Sequence, residues 1–177
     1  MKTDVDPEKG PALSPANELC LACGMCCAGT IYSVLPIGQD EVEASRAAGM
    51  TISAGHEGEP AAALPCPHLN GTACGLYDQW RPRACGEYMC RLQQRMGAGE
   101  IGLTAAKAEV ARLKELIADR LPETAHRPLR ELVIEAAALT RAGPIPPEKA
   151  RMVMMVGAVN REIDQVIRYA FQASFAP

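Results

Sequence analysis

The sequence predicts a mainly α fold: a small, irregular cysteine-rich module of turns and short strands, followed by a C-terminal segment of three helices. Three observations predict it. All eight cysteines of the 177-residue chain fall between Cys20 and Cys90, among glycines, prolines and an Asn-Gly turn. From Thr104 onward, apolar residues recur with a helical period. Aromatic residues make up only 4% of the chain, which argues against an aromatic-rich β-sandwich. The expected organisation is a flexible arm over 1–17, the cysteine-rich module over 18–95 and the helical region over 96–177.

The elements follow in order. Residues 1–13 are polar, charged and proline-bearing, the composition of a mobile arm. Ser14-Pro15 reads as a helix start, with Ser14 as N-cap and Pro15 at the first helical position. On that helix Cys20, Cys23 and Cys27 share a face, whereas in a ferredoxin-like loop the same spacing wraps round a cluster. Thr30 to Ile37 is β-branched and aromatic, a strand that Pro36 ends. Asp40 to Ala48 reads as a short helix with acidic residues in its first turn. Met50 to Pro65, rich in glycine and alanine, reads as a loop. Asn70-Gly71 sets a tight turn between Cys66 and Cys74, and Arg81-Pro82 breaks any helix before Cys85. Tyr77, Trp80 and Tyr88 are expected to form a small core beside the thiols.

Three helices are expected beyond. The first begins with Thr104 as N-cap, carries Val110, Leu113, Ile117 and Leu121 on one stripe and stops at Pro122. The second spans Pro128 to Ala142 and buries Leu129, Leu132, Val133, Ala136 and Leu139. The third runs from Pro147 to Gln172, with Met152, Val156, Val159, Ile163, Val166 and Ala170 on one stripe. Met152, Met154 and Met155 read as core filler.

Cys20-Leu-Ala-Cys23-Gly-Met-Cys26-Cys27 places four thiols in eight residues, and Cys66, Cys74, Cys85 and Cys90 follow. Packing does not ask for adjacent cysteines, because a small apolar side chain packs as well. Their common chemistry is soft thiolate ligation, of zinc or of an iron–sulfur cluster. Cys-x2-Cys knuckles are usual in structural zinc. Three closely spaced cysteines followed by a distant Cys66-Pro67 also match the pattern that holds a [4Fe–4S] cluster. Adjacent cysteines rarely bind one metal together, so one of Cys26 and Cys27 is expected to serve a second site or remain a reactive thiol. Arg81, Arg83 and Arg91, with Arg95, are expected to offset thiolate charge and donate hydrogen bonds to sulfur. His68 is expected to make a local hydrogen bond in preference to ligating. His56 and His126 have nothing to recommend them.

These residues resemble the YkgJ-like cysteine-cluster (CxxCxxCC) family of zinc- or iron-chelating proteins. The resemblance is carried by Cys20, Cys23, Cys26 and Cys27, by Cys66, Pro67 and Leu69, and by Cys74, Tyr77, Cys85 and Cys90. It spans roughly residues 18–92 and leaves the helical half uncovered. Arg81-Pro82 is displaced by one residue, His68 replaces a large apolar residue, and Gly86 stands where arginine is common. The resemblance implies a metal centre. A related cluster in flagellin lysine methylases implies iron–sulfur chemistry.

A net charge of −3 gives no electrostatic reason to expect nucleic acid or an anionic membrane as partner. Acidic residues and prolines occupy the N-terminus where a secretory signal would need an apolar run, so the chain is expected to be cytoplasmic, with reduced thiols. Gly97-Ala98-Gly99 is too short a run to mark a nucleotide site, and the radical SAM spacing Cys-x3-Cys-x2-Cys is absent. The expected function is an iron–sulfur redox or accessory module working with a protein partner. The alternatives are a structural zinc-binding interaction module and, behind it, a cluster-dependent methyl-transfer or redox enzyme. The helices, with their own apolar stripes, are expected to keep much of their structure when metal is removed.

Overall fold

The computed structural model describes residues 13–55 and 57–168. The expectations for the arm before residue 13, for His56 and for Ala170 to Gln172 lie outside the described residues. Helix α1 (Pro15–Cys23) starts as its sequence dictates: the Ser14 side chain accepts from the Asn17 amide, and Pro15 occupies the first turn. Gly24 stops it at φ 66°, a conformation open to glycine at little cost. A Cβ at Gly24 would lie 2.9 Å from the backbone of Thr72, so α1 ends directly against the turn between Cys66 and Cys74.

Strand β1 (Val34–Pro36) is shorter than the expected Thr30–Ile37 run and does end on the proline. A 3-10 turn over Gln39–Glu41 then leads into α2 (Val42–Ala47), as the acidic first turn suggests. The stretch read as a loop, 50–65, instead holds β2 (Ile52–Ala54) and β3 (Pro60–Ala63), which complete an antiparallel sheet in the order β1-β3-β2. Alanine and glycine have low strand propensity, but Ala61 and Ala62 are fully buried between neighbours that only the folded chain supplies. Strands β4 (Leu69–Asn70) and β5 (Ala73–Cys74) flank Gly71 at φ 60°, the tight turn that Asn70-Gly71 announces.

Helix α3 (Arg83–Glu87) begins right after Pro82, and α4 (Arg91–Gly97) begins at Cys90. The C-terminal three helices follow as α5 (Leu103–Arg120), α6 (Leu129–Ala142) and α7 (Pro147–Val166). Gly102, not Thr104, stands at the N-cap of α5. Helix α7 ends at Val166, short of the expected Gln172, where the Ile167 and Arg168 amides both turn back to the Ile163 carbonyl. The fold is thus mainly α, with short strands and a C-terminal helical segment.

The main core takes the expected stripes: Val110, Leu113 and Ile117 of α5, Leu129, Leu132 and Ala136 of α6, and Val156, Val159 and Ile163 of α7. Each fully buried leucine or isoleucine contributes about 1.5–3 kcal/mol. Leu19, Met25, Ile31 and Leu92 belong to the same core. The cysteine-rich stretch and the helices are therefore joined by shared apolar packing, with α1 lying against α5. A second, smaller core of Ile37, Val42, Met50 and Ala62 sits under the sheet. Met152 and Met155 pack on the main core as filler does, while Met154 is exposed. No described helix is long and apolar enough to cross a membrane.

Candidate metal centre

The eight thiols come from four places. Cys20 and Cys23 lie one turn apart on α1. Cys26 and Cys27 lie on a helical turn just beyond it, closed by the Ala28 amide donating to the Gly24 carbonyl at 2.9 Å. Cys66 and Cys74 flank the β4–β5 hairpin. Cys85 sits on α3, and Cys90 opens α4.

Backbone bonds bring these pieces together. The Cys66 amide donates to the Cys27 carbonyl at 2.7 Å, which fixes the hairpin beside the helical turn. Buried Glu41 accepts from the amides of Gly38 and Arg83, each at 2.8 Å, and anchors the start of α3 to the sheet side. Gln93, also buried, accepts from the Cys90 amide at 2.8 Å and donates to the Ala16 carbonyl at 3.0 Å, so it clamps α4 to α1. The Arg91 amide donates to the Ile167 carbonyl, and the Arg130 amide donates to the Gly29 carbonyl. The C-terminal helices thereby hold the thiol-bearing turns in place.

All eight cysteines are free and line one cavity of about 130 Å³. Tyr32, Tyr77, Tyr88, Arg81 and Ile167 complete much of its wall. The space is far larger than the ~10–15 Å³ that admits one water. Among the described residues, no group of three His, Cys, Asp or Glu side chains is gathered closely enough to hold one metal ion as it stands. The thiols ring a space; they do not meet at a point.

Burial dominates their ionisation. It pushes Cys23 up to about 11 and Cys27 and Cys85 up to about 12, with the like charge of neighbouring thiols adding to it. Cys26 is raised well above the ordinary thiol range for the same reasons, and Cys20, Cys66 and Cys90 rise too. Backbone amides oppose the rise at three places: Met25 at Cys23, His68 at Cys66, and Gln93 and Leu92 at Cys90. Without metal these groups are thiols at neutral pH. Only the thiolate ligates well, so filling the cavity displaces protons. The donor set, sulfur throughout, fits zinc or an iron–sulfur centre.

Of the arginines expected to offset thiolate charge, only Arg81 lines the cavity, where its guanidinium lies 4.4 Å from the centre of the Tyr77 ring. Its charge favours ionisation of Cys20 and Cys85. Arg83 instead makes two 2.9 Å hydrogen bonds to Asp40, whose carboxyl it holds below its usual range. Arg91 donates to the Gln165 carbonyl at 3.2 Å, and Arg95 pairs with Glu100. These three brace the fold around the cavity because carboxylates and carbonyls lie within their reach. His68 donates through Nε2 to the carbonyl of Ala48 at the end of α2, a hydrogen bond as expected but to a residue 20 positions away instead of a local one.

Two contributors were not singled out in the sequence. Lys114 of α5 donates to the Ala22 carbonyl at 3.3 Å and favours ionisation of Cys23, acting across a long sequence gap. Tyr32 meets Tyr88 edge to face, ring centres 5.7 Å apart and hydroxyls sharing a 3.0 Å hydrogen bond. Tyr77 and Tyr88 stand beside the thiols as expected, whereas Trp80 is 46% exposed.

A family model, "CxxCxxCC: Putative zinc- or iron-chelating domain", matches residues 19–111. The match runs beyond the resemblance read from the thiols and takes in α4 and half of α5. No curated protein and no solved structure matches the chain.

Proposed function

The chain belongs to the CxxCxxCC family of zinc- or iron-chelating domains, and from that premise we propose that it carries an iron–sulfur centre, with [4Fe–4S] the form the thiol spacing suits best. The supporting observation is the shape of the donor set: eight thiols ring a cavity of about 130 Å³. A lone zinc ion asks for four sulfurs about 2.3 Å from one point. A cluster brings its own iron and sulfide to fill such a space, and its ligands stand further apart.

When bound, such a centre supplies one-electron redox chemistry. The chain's own residues hold it, exclude water through Tyr32, Tyr77 and Tyr88, and place the Arg81 charge beside it. The module is read as acting with a protein partner in the cytoplasm. Trp80 and Met89, both 46% exposed, stand next in sequence to the cavity-lining Arg81, Tyr88 and Cys90. Structural zinc is the second reading, favoured by the Cys20-x2-Cys23-x2-Cys26 knuckles.

Iron, zinc and acid-labile sulfide per chain, measured after anaerobic purification, test the proposal. Brown protein with iron and sulfide in equal amounts is expected. Colourless protein with zinc and no sulfide overturns the iron–sulfur reading and leaves the zinc reading standing.

A further inference from the structure

We propose that the cavity holds two centres, with the adjacent Cys26 and Cys27 divided between them: Cys20, Cys23, Cys26 and Cys90 on one, Cys27, Cys66, Cys74 and Cys85 on the other. The inference rests on the reading of these thiols as metal ligands and goes beyond it in assigning each ligand to a centre.

The division follows the two cores between which the cavity lies. Cys23, Cys26 and Cys90 pack against the main helical core. Leu76, just beyond Cys74, packs instead against the small core under the sheet. Leu35, Met50, Ala62 and Leu76 line the cavity on that side, and Leu19 and Ile167 line it on the other.

Local geometry separates the adjacent pair. The Ala28-to-Gly24 hydrogen bond makes Cys26 and Cys27 consecutive residues of a helical turn. At 3.6 residues per turn, neighbours point about 100° apart and do not face one another. Gly24 breaks the helix between Cys23 and Cys26, and what the two share is their packing against the main helical core. The Cys27 carbonyl, in contrast, is bonded to the Cys66 amide, so Cys27 belongs with the hairpin. Cys74 is on the hairpin's second strand, paired with Leu69, and the Leu69 amide donates to the Cys66 carbonyl at 3.1 Å.

The Gln93 clamp holds Cys90 against α1, where Cys20 and Cys23 sit a turn apart on one face. Cys85 is carried by α3, whose start is fixed through Glu41 to the sheet side. Each set supplies four thiolates, the full complement of a cubane or of a tetrahedral ion.

The experiment uses the full chain as isolated anaerobically. Metal is withdrawn stepwise with a chelator, thiols freed at each step are alkylated, and the peptides are read by fragmentation mass spectrometry. The thiols are expected to become reactive in two blocks of four with the membership given. The decisive species is a peptide spanning Cys26 and Cys27 that carries a single alkyl group. Metal per chain should match two filled four-thiolate sites. Joint release of Cys26 and Cys27, one protected block of four with the rest reactive throughout, or a single block of eight overturns the division. Full reactivity before any chelator overturns it together with the metal reading. Zinc in place of iron and sulfide overturns only the iron–sulfur proposal, because the blocks are read from thiol protection whichever metal is bound.

Discussion

At the scale of single residues, the site depends on backbone positions as much as on thiols. Gly24 shows this best: its φ of 66° and the 2.9 Å approach to Thr72 leave no room for a side chain. Gly24→Ala should cost about 1–2 kcal/mol for the left-handed backbone alone, and more for the clash. It should also push the β4–β5 hairpin, and Cys74 with it, away from α1. Thermal unfolding and metal content of the variant check both effects. Unchanged values for both would mean that the close approach does not constrain the site. The thiols give a pH dependence. Burial raises their pKa values, so in the metal-free fold they are neutral where an unfolded thiol, at about 8.5, begins to ionise. The metal-free fold should keep its full stability below about pH 8.5. As pH rises toward about 12, the value to which Cys27 and Cys85 are raised, stability should fall because the unfolded chain loses protons first. Metal affinity should move oppositely and strengthen with pH, since ligation displaces protons. Denaturant unfolding of metal-free protein and competitive metal titration, each at several pH values, read the two trends.

At the scale of elements, the Gln93 clamp carries the most specific prediction. One buried amide side chain satisfies the Cys90 N–H of α4 and the Ala16 carbonyl of α1 at once. Gln93→Ala strands a donor and an acceptor, at about 1–3 kcal/mol for each group left unpaired. Because the clamp sets Cys90 against α1, metal retention should drop more than it does for a core truncation of similar cost remote from the cavity, such as Val156→Ala. Chelator half-times of the two variants, compared at matched loss of stability, decide the point. Equal half-times would show that Gln93 contributes only general stability.

At the scale of the whole molecule, the two cores make separate demands. The main core continues from α1 through α5 to α7, while the small sheet has few large apolar residues of its own. Removing metal should therefore release the hairpin and the segment from Cys66 to Cys90, and then loosen α1. Helices α6 and α7, which pack mainly on one another, should keep amide protection. Hydrogen exchange on holo and chelated protein, segment by segment, checks this. Simultaneous loss across Leu103–Val166 would mean that the helices and the metal-bound part form one cooperative unit.

Sequence alone determined what is local. The Ser14-Pro15 start, the Asn70-Gly71 turn, the apolar stripes of α5, α6 and α7 and the concentration of thiols each arise from neighbours a few residues apart, where spacing and backbone preference decide. The family resemblance was legible in the same way, from thiol order. Tertiary structure alone decided what depends on distant partners. Ala61 and Ala62 became strand because β1 and β2 supply their hydrogen bonds, against their own propensity. Arg83 and Arg91 turned to Asp40 and to the Gln165 carbonyl, whereas Lys114, from a helix far along the chain, reached the Ala22 carbonyl next to Cys23. A charge's partner is set by which groups the fold brings within a few ångströms, and that distance is not written in sequence separation.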